Sequence, residues 1–149
     1  LLALPDRIPR RVLEAYAVRP PFFIAPGVRP SEPQVVRFVE ARFAGVLSVV
    51  FEDRAIARLV LRAGRGADGV VDDILHRVDQ TVLETIEQEL RAAKEAGVIR
   101  ELDEHFVARF FLGGFEKIVM SYLDEDRPID VQQIAREAAL LEVCGIYPR

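Results

Sequence analysis

Residues 70–97 read VVDDILHRVDQTVLETIEQELRAAKEAG, and the reading of this stretch decides the fold. Val71, Leu75, Val78, Val82, Ile86, Leu90 and Ala93 follow one another at spacings of 4, 3, 4, 4, 4 and 3 residues, the period of one face of an α-helix. The positions between them are mostly Asp, Glu, Gln, Arg and Thr, which suits the solvent side of the same helix. The helix follows Asp68 and extends to about Ala96. Gly97 closes it, because glycine takes the left-handed backbone that ends many helices, and the apolar Val98 follows as such a turn requires. One amphipathic helix of this length has to be covered by others.

The flanking sequence supplies them. Ser31-Glu32-Pro33-Gln34 is a capping box, a hydroxyl at the cap with an amide three residues later. The helix it opens carries Val35, Phe38, Val39, Arg42, Phe43, Val46, Leu47 and Val50. Val46–Phe51 is apolar enough for a strand but sits inside this helical period. Asp53 restarts a short helix through Leu61, and Ala63–Gly69, with three glycines, is a loop. Upstream, a helix at about 7–18 is capped by Asp6 and carries Ile8, Val12, Leu13 and Tyr16. It leads into an irregular connector over 19–30 that Phe22, Phe23 and Ile24 are placed to anchor. Downstream, Asp103 caps a helix over 104–123. Asp130-Val131-Gln132-Gln133 forms a second capping box, with Ile129 placed to staple onto Ile134, and the last helix ends near Gly145, ahead of Pro148. The expected fold is all-α, an antiparallel domain of about six helices.

Composition narrows the class. At 149 residues and 50% hydrophobic, the chain is one domain able to bury its own core. Seven of nine prolines fall in the first 33 residues, and none follows until Pro128, so long helices have room between. The first 30 residues carry five Arg against Asp6 and Glu14, a balance of +3; since the total is −4, the remainder carries −7. Two parts follow: 1–30, an N-terminal helix with its Pro-rich connector, and 31–149, the main body. An acidic body without a basic stripe is poorly suited to gripping nucleic acid. The single cysteine, Cys144, excludes an internal disulfide framework. No apolar run approaches the ~20 residues a membrane helix needs, and no signal peptide opens the chain, so the expected location is cytoplasmic with no membrane partner.

Two helices are apolar on more sides than one partner can cover. Residues 104–123 place Phe106, Val107, Phe110, Phe111, Leu112, Phe115, Ile118, Val119, Met120, Tyr122 and Leu123 around most of the circumference. Gly113 and Gly114 lie mid-helix, where each costs nearly ~1 kcal/mol of helix propensity. The last helix repeats the pattern with Val131, Ile134, Ala135, Ala138, Ala139, Leu140, Leu141 and Val143. The economical arrangement is a homodimer, an intermolecular four-helix bundle with Phe111, Gly114, Phe115, Ile118, Tyr122, Ile134, Ala138 and Leu141 at its interface. The alternative is a central helix within a monomer, the glycines marking a kink or tight internal packing.

Four runs carry a family resemblance: Ala57-Arg58-Leu59-Val60-Leu61-Arg62, Glu89–Ile99 (ELRAAKEAGVI), Asp103–Phe115 (DEHFVARFFLGGF) and the capped terminal helix ending Gly145-Ile146. With this helix order, residues 32–145, about three quarters of the chain, resemble the C-terminal regulatory domain of TetR-type transcriptional regulators. The resemblance implies a ligand-sensing, dimerising domain in which the aliphatic-glycine helix and the last helix form the dimer bundle. That family reads DNA with an N-terminal helix-turn-helix. Ala44-Gly45-Val46-Leu47-Ser48 imitates its core but lacks the preceding helix pair, runs on into Val49-Val50-Phe51 and sits in the −7 segment. DNA contact is therefore expected only through an N-terminal head absent from this chain.

The resemblance also implies a pocket, apolar with a few polar groups. Phe38, Arg42, Phe43 and Phe51 are its candidates from the second helix, Ile74, Val78 and Val82 from the long one, and Phe106 and Phe110 from the next. The effector would be small and largely apolar; the plainer alternative is that these side chains are core. The short 54–62 helix is the expected moving part. Asp72, His76 and Asp79 share a helix side at metal-like spacing, but a solvated, salt-bridged face explains them as well, and no metal ligand is assigned. There is no nucleophile elbow, P-loop, dinucleotide fingerprint or metalloprotease helix, so no catalytic residue and no cofactor is expected. The alternative function is a stand-alone dimeric module that binds a ligand or protein without DNA.

Overall fold

Six α-helices follow one another in the computed structural model, which describes residues 4–18, 20, 27, 29–63, 66 and 69–146. They are α1 (Leu4–Ala17), α2 (Glu32–Glu52), α3 (Arg54–Arg58, continued by a π-helical turn over Leu59–Ala63), α4 (Val70–Glu95), α5 (Glu104–Asp124) and α6 (Val131–Ile146). The domain is all-α, with no strand among the described residues. No helix among them is long and apolar enough to cross a membrane.

The caps form where the side chains dictate. Ser31 and Gln34 close the capping box of α2 reciprocally. Asp53, Asp103 and Asp130 accept from the backbone N–H of Ile56, Phe106 and Gln133 at 3.1, 3.0 and 3.0 Å, satisfying donors that a helix start leaves over. At the end of α4, Gly97 takes φ +67°; its N–H donates to Lys94 O and that of Val98 to Ala93 O, both at 2.9 Å, which completes a Schellman turn. Val46–Phe51 continues α2, and the Ala44–Ser48 run lies mid-helix without a turn.

The first helix departs from expectation. It starts at Leu4, so Asp6 lies in its first turn and is not its cap. Pro9 sits inside and forfeits one backbone bond, which the burial of Ile8 and Tyr16 offsets. The anchoring expected of Phe22, Phe23 and Ile24 falls outside the described residues.

α2 and α4 are central. α1 packs on both, α5 packs on α4, and α6 lies along α2. Ala135, Ala139 and Val143 on the buried stripe of α6 are fully enclosed, and such small side chains let two helix axes approach closely. Ile8 and Tyr16 of α1 belong to the same core as Leu47, Val82 and Leu123, so the N-terminal helix is built into the main body.

The short helix is held more firmly than its position between a cap and a glycine-rich loop suggests. Arg54 donates to the carbonyls of Tyr122 and Arg127, both at 2.9 Å, and Arg58 Nε donates to Leu123 O at 2.5 Å. Arg62 pairs with Asp124. Carbonyls at a helix C-terminus lack intrahelical donors and carry the negative end of the dipole, which suits Arg54 and Arg58, while Arg62, one turn on, pairs with the Asp124 carboxylate. α3 is thereby clamped to the end of α5.

Candidate functional site

Two cavities open against one polar cluster. The first, about 70 Å³, lies between α2, α4, α5 and α6. Its apolar wall includes Phe38, Phe43, Ile86, Phe111 and Phe115. The second, about 380 Å³, lies between α1, α2, α4 and α5, with Ile8, Val50, Leu75, Val78 and Val82 on its wall. Tyr16, Leu112 and Phe115 line both, so the cavities adjoin through these three side chains.

The polar cluster is assembled from four helices. Arg42 of α2 donates to both carboxylate oxygens of Glu89 of α4 at 2.7 Å, a bidentate pair. Its Nη2 also donates to Val18 O at 3.0 Å, tying the end of α1 to the pair. The guanidinium carbon lies 5.0 Å from the Tyr16 ring centroid and 4.7 Å from that of Phe38, so the cation is held between aromatic faces. Its Nε is buried without a hydrogen-bond partner. Burial opposes the charge on Arg42, but the bond to Glu89 and the charges of Glu89, Tyr16 and Glu142 outweigh it and hold its pKa above the ordinary value.

Glu142 of α6 lines the first cavity. The side chain is half-buried between the packed helices, and burial raises its pKa from 4.5 to about 7 even though Arg42 pulls the other way. Burial, with the charge of Glu142 next, pushes the Tyr16 phenol well above its usual range.

The sequence-derived pocket residues divide among several places. Phe38, Arg42 and Phe43 meet at the first cavity, and Val78 and Val82 at the second. Ile74 is half-buried on α4 and lines neither cavity. Phe51 packs its ring 5.5 Å from the Arg54 guanidinium. Phe106 and Phe110 do not face inward: they are 63% and 66% exposed, with ring centroids 6.1 Å apart. They lie on the stripe of α5 opposite Ala108, Phe115, Val119 and Leu123, the residues that reach the core.

The dimer candidates divide the same way. Gly114 is exposed, and a Cβ added there or at Gly113 meets nothing within 4 Å, so a close neighbour within the protomer does not account for the pair. Leu141 of α6 is 71% exposed. Ile118, Tyr122, Ile134 and Ala138 are half-buried. Phe115 lies in the protomer core, stacked on Phe43 with centroids 4.5 Å apart, and Phe111 turns to the first cavity. The outward stripe of α5 is Phe106, Phe110, Gly113, Gly114 and Lys117, about one residue step around from the expected set.

Tyr16, Glu89 and Glu142 were missing from the pocket set, yet their positions carried a signal. Glu89 falls between Ile86 and Ala93, and Glu142 between Ala139 and Ile146, on helical stripes that are otherwise apolar. A carboxylate on a buried stripe is itself informative. Of the three candidate metal ligands on α4, Asp72 accepts from the backbone N–H of Gly66 at 3.0 Å, His76 is exposed and Asp79 borders the second cavity. Among the described residues, no three His, Cys, Asp or Glu side chains converge as a metal site would need. No family model matches the chain, and no curated protein or solved structure matches it either.

Proposed function

We propose that this chain is the effector-sensing, dimerising domain of a TetR-like transcriptional regulator, a cytoplasmic protein whose DNA contacts are made by a separate N-terminal helix-turn-helix. The observation that carries the reading is the double position of α5. Its inner side puts Leu112 and Phe115 on the wall of both cavities, while its outer side turns Phe106, Phe110 and Gly114 to solvent, with Gly113 exposed at the edge of the second cavity. An effector that repositions α5 acts on the dimer face through one rigid element. It shifts that equilibrium only by its difference in affinity for the two placements, commonly about 1–3 kcal/mol.

A second copy of the chain suits the outer face of α5. Aromatic knobs at 106 and 110 and a gap at 113–114 share one stripe, so in a two-fold antiparallel contact the rings of each copy cover the glycines of the other. The two glycines together cost the helix roughly 2 kcal/mol of propensity, a sacrifice with no beneficiary inside the protomer. The −7 balance of residues 31–149 supports leaving DNA to another segment. The coding sequence immediately upstream of Leu1 tests the regulator reading: it is expected to encode a helix-turn-helix. A start codon adjoining Leu1, or an unrelated domain there, would favour the stand-alone dimeric module instead.

A further inference from the structure

The charges around the first cavity do not balance. Glu89 occupies both terminal nitrogens of Arg42, and Val18 O takes a further bond from Nη2. Glu142 faces the same space and makes no hydrogen bond to any described residue. From the elements packed around it, α2 contributes Arg42, α4 contributes Glu89 and α1 contributes the un-ionised phenol of Tyr16. α5 contributes only Phe111, Leu112 and Phe115. Two carboxyl groups therefore face one guanidinium whose terminal nitrogens are both taken, with only its Nε left without a hydrogen-bond partner. With both terminal nitrogens taken, an anion finds no bidentate partner on Arg42, while Glu142 offers its carboxylate to a cation.

We infer that the effector is a hydrophobic ammonium ion, its head on the Glu142 carboxylate and its apolar body against the walls of the adjoining cavities; this rests on the effector-sensing reading and fixes the ligand's class within it. A volume of about 70 Å³ matches roughly two water molecules, enough for an ammonium head and the first carbons of its chain. The 380 Å³ cavity beyond Tyr16, Leu112 and Phe115 takes the remainder; its wall is mostly aliphatic and aromatic, with Asp79, Glu116 and Lys117 also on the lining. Size selects against a bulkier guanidinium head, and the aromatic faces of Tyr16 and Phe38 that would receive one are occupied by Arg42. Glu142 holds its proton to near neutrality, so an arriving ammonium ion releases that proton to solvent as it pairs with the carboxylate. Binding is consequently linked to pH.

Calorimetric titration of the full chain with n-hexylammonium, n-hexanol and n-hexanoate at pH 6 and pH 8 tests this. Hexylammonium is expected to bind at least tenfold tighter than hexanol at pH 8 and to weaken severalfold at pH 6, while hexanol is indifferent to pH. Glu142→Gln, which keeps the shape and breaks no hydrogen bond, is expected to remove both the preference and the pH dependence; circular dichroism confirms its fold. Should the variant unfold, the pH dependence of the parent chain alone decides. Hexanol binding as tightly as hexylammonium at pH 8 would overturn the ammonium assignment and leave the apolar-effector reading standing. Failure of all three probes to bind would overturn both.

Discussion

At the scale of single residues, Glu142 and Arg42 make opposite demands. Glu142 is a half-buried carboxyl on the wall of the first cavity, and burial raises its pKa from 4.5 to about 7. Between those values the unfolded chain gives up the proton while the native chain keeps it. Stability therefore falls as pH rises through this window, by on the order of 2–3 kcal/mol, and levels off above it. Glu142→Gln should lose that decline, so thermal melts at pH 5 and pH 8 should separate parent from variant at pH 8 and bring them together at pH 5. Parallel behaviour of the two proteins would contradict the burial of this carboxyl. Glu104 titrates in the other direction: its bond to Lys94, chiefly, lowers its pKa to about 2, so its contribution is present above 4.5 and fades as pH falls toward 2. Arg42 is the costlier residue to lose. Arg42→Met leaves Glu89 and Glu142 together without a cation and should destabilise the chain by about 2–4 kcal/mol in urea titration. A loss under ~0.5 kcal/mol would mean that solvent already screens the cluster. These three charges were legible in principle, because each interrupts an apolar helical stripe, but a stripe cannot say which other helix it meets. Only the folded chain brings residues 42, 89 and 142 to one cavity.

Individual helices were the most legible level. Caps at Ser31, Asp53, Asp103 and Asp130 and the turn at Gly97 depend on residues within six positions of one another, so local sequence determines them. The face that a helix buries is less local. On α5 nearly every side is apolar, so periodicity alone does not select between Phe115, which stacks on Phe43, and Phe110, which faces solvent. The π-turn at 59–63 and the arginine clamp were not legible, since Arg54, Arg58 and Arg62 find partners more than 60 positions away. That clamp ties α3 to the end of α5. Arg58→Ala should destabilise the domain by about 1–2 kcal/mol, because a charged donor to a buried carbonyl is removed. Hydrogen exchange should quicken over residues 54–63 ahead of α4. Unchanged protection there would show that the arginines do not hold α3 in place.

For the whole molecule, the account joins an internal site and an external face through α5. All-α architecture followed directly from hydrophobic period and cap chemistry, because six helices of this kind leave few other ways to bury 50% hydrophobic sequence. The outer face of α5 was legible only as an excess of apolar residues. The structure sharpens this to Phe106, Phe110 and a glycine pair with open space above it. Gly114→Leu is therefore diagnostic: within one protomer its Cβ meets nothing within 4 Å and the change improves helix propensity by up to about 1 kcal/mol, whereas in the proposed dimer it would fill the gap meant for a second copy's rings. Sedimentation velocity of the parent chain and Gly114→Leu at micromolar concentration tests the central claim most directly. The parent is expected to sediment as a dimer, and the variant as a folded monomer of equal or greater helicity. A monomeric parent, or a Gly114→Leu variant that stays dimeric, would contradict the place of α5 at the interface.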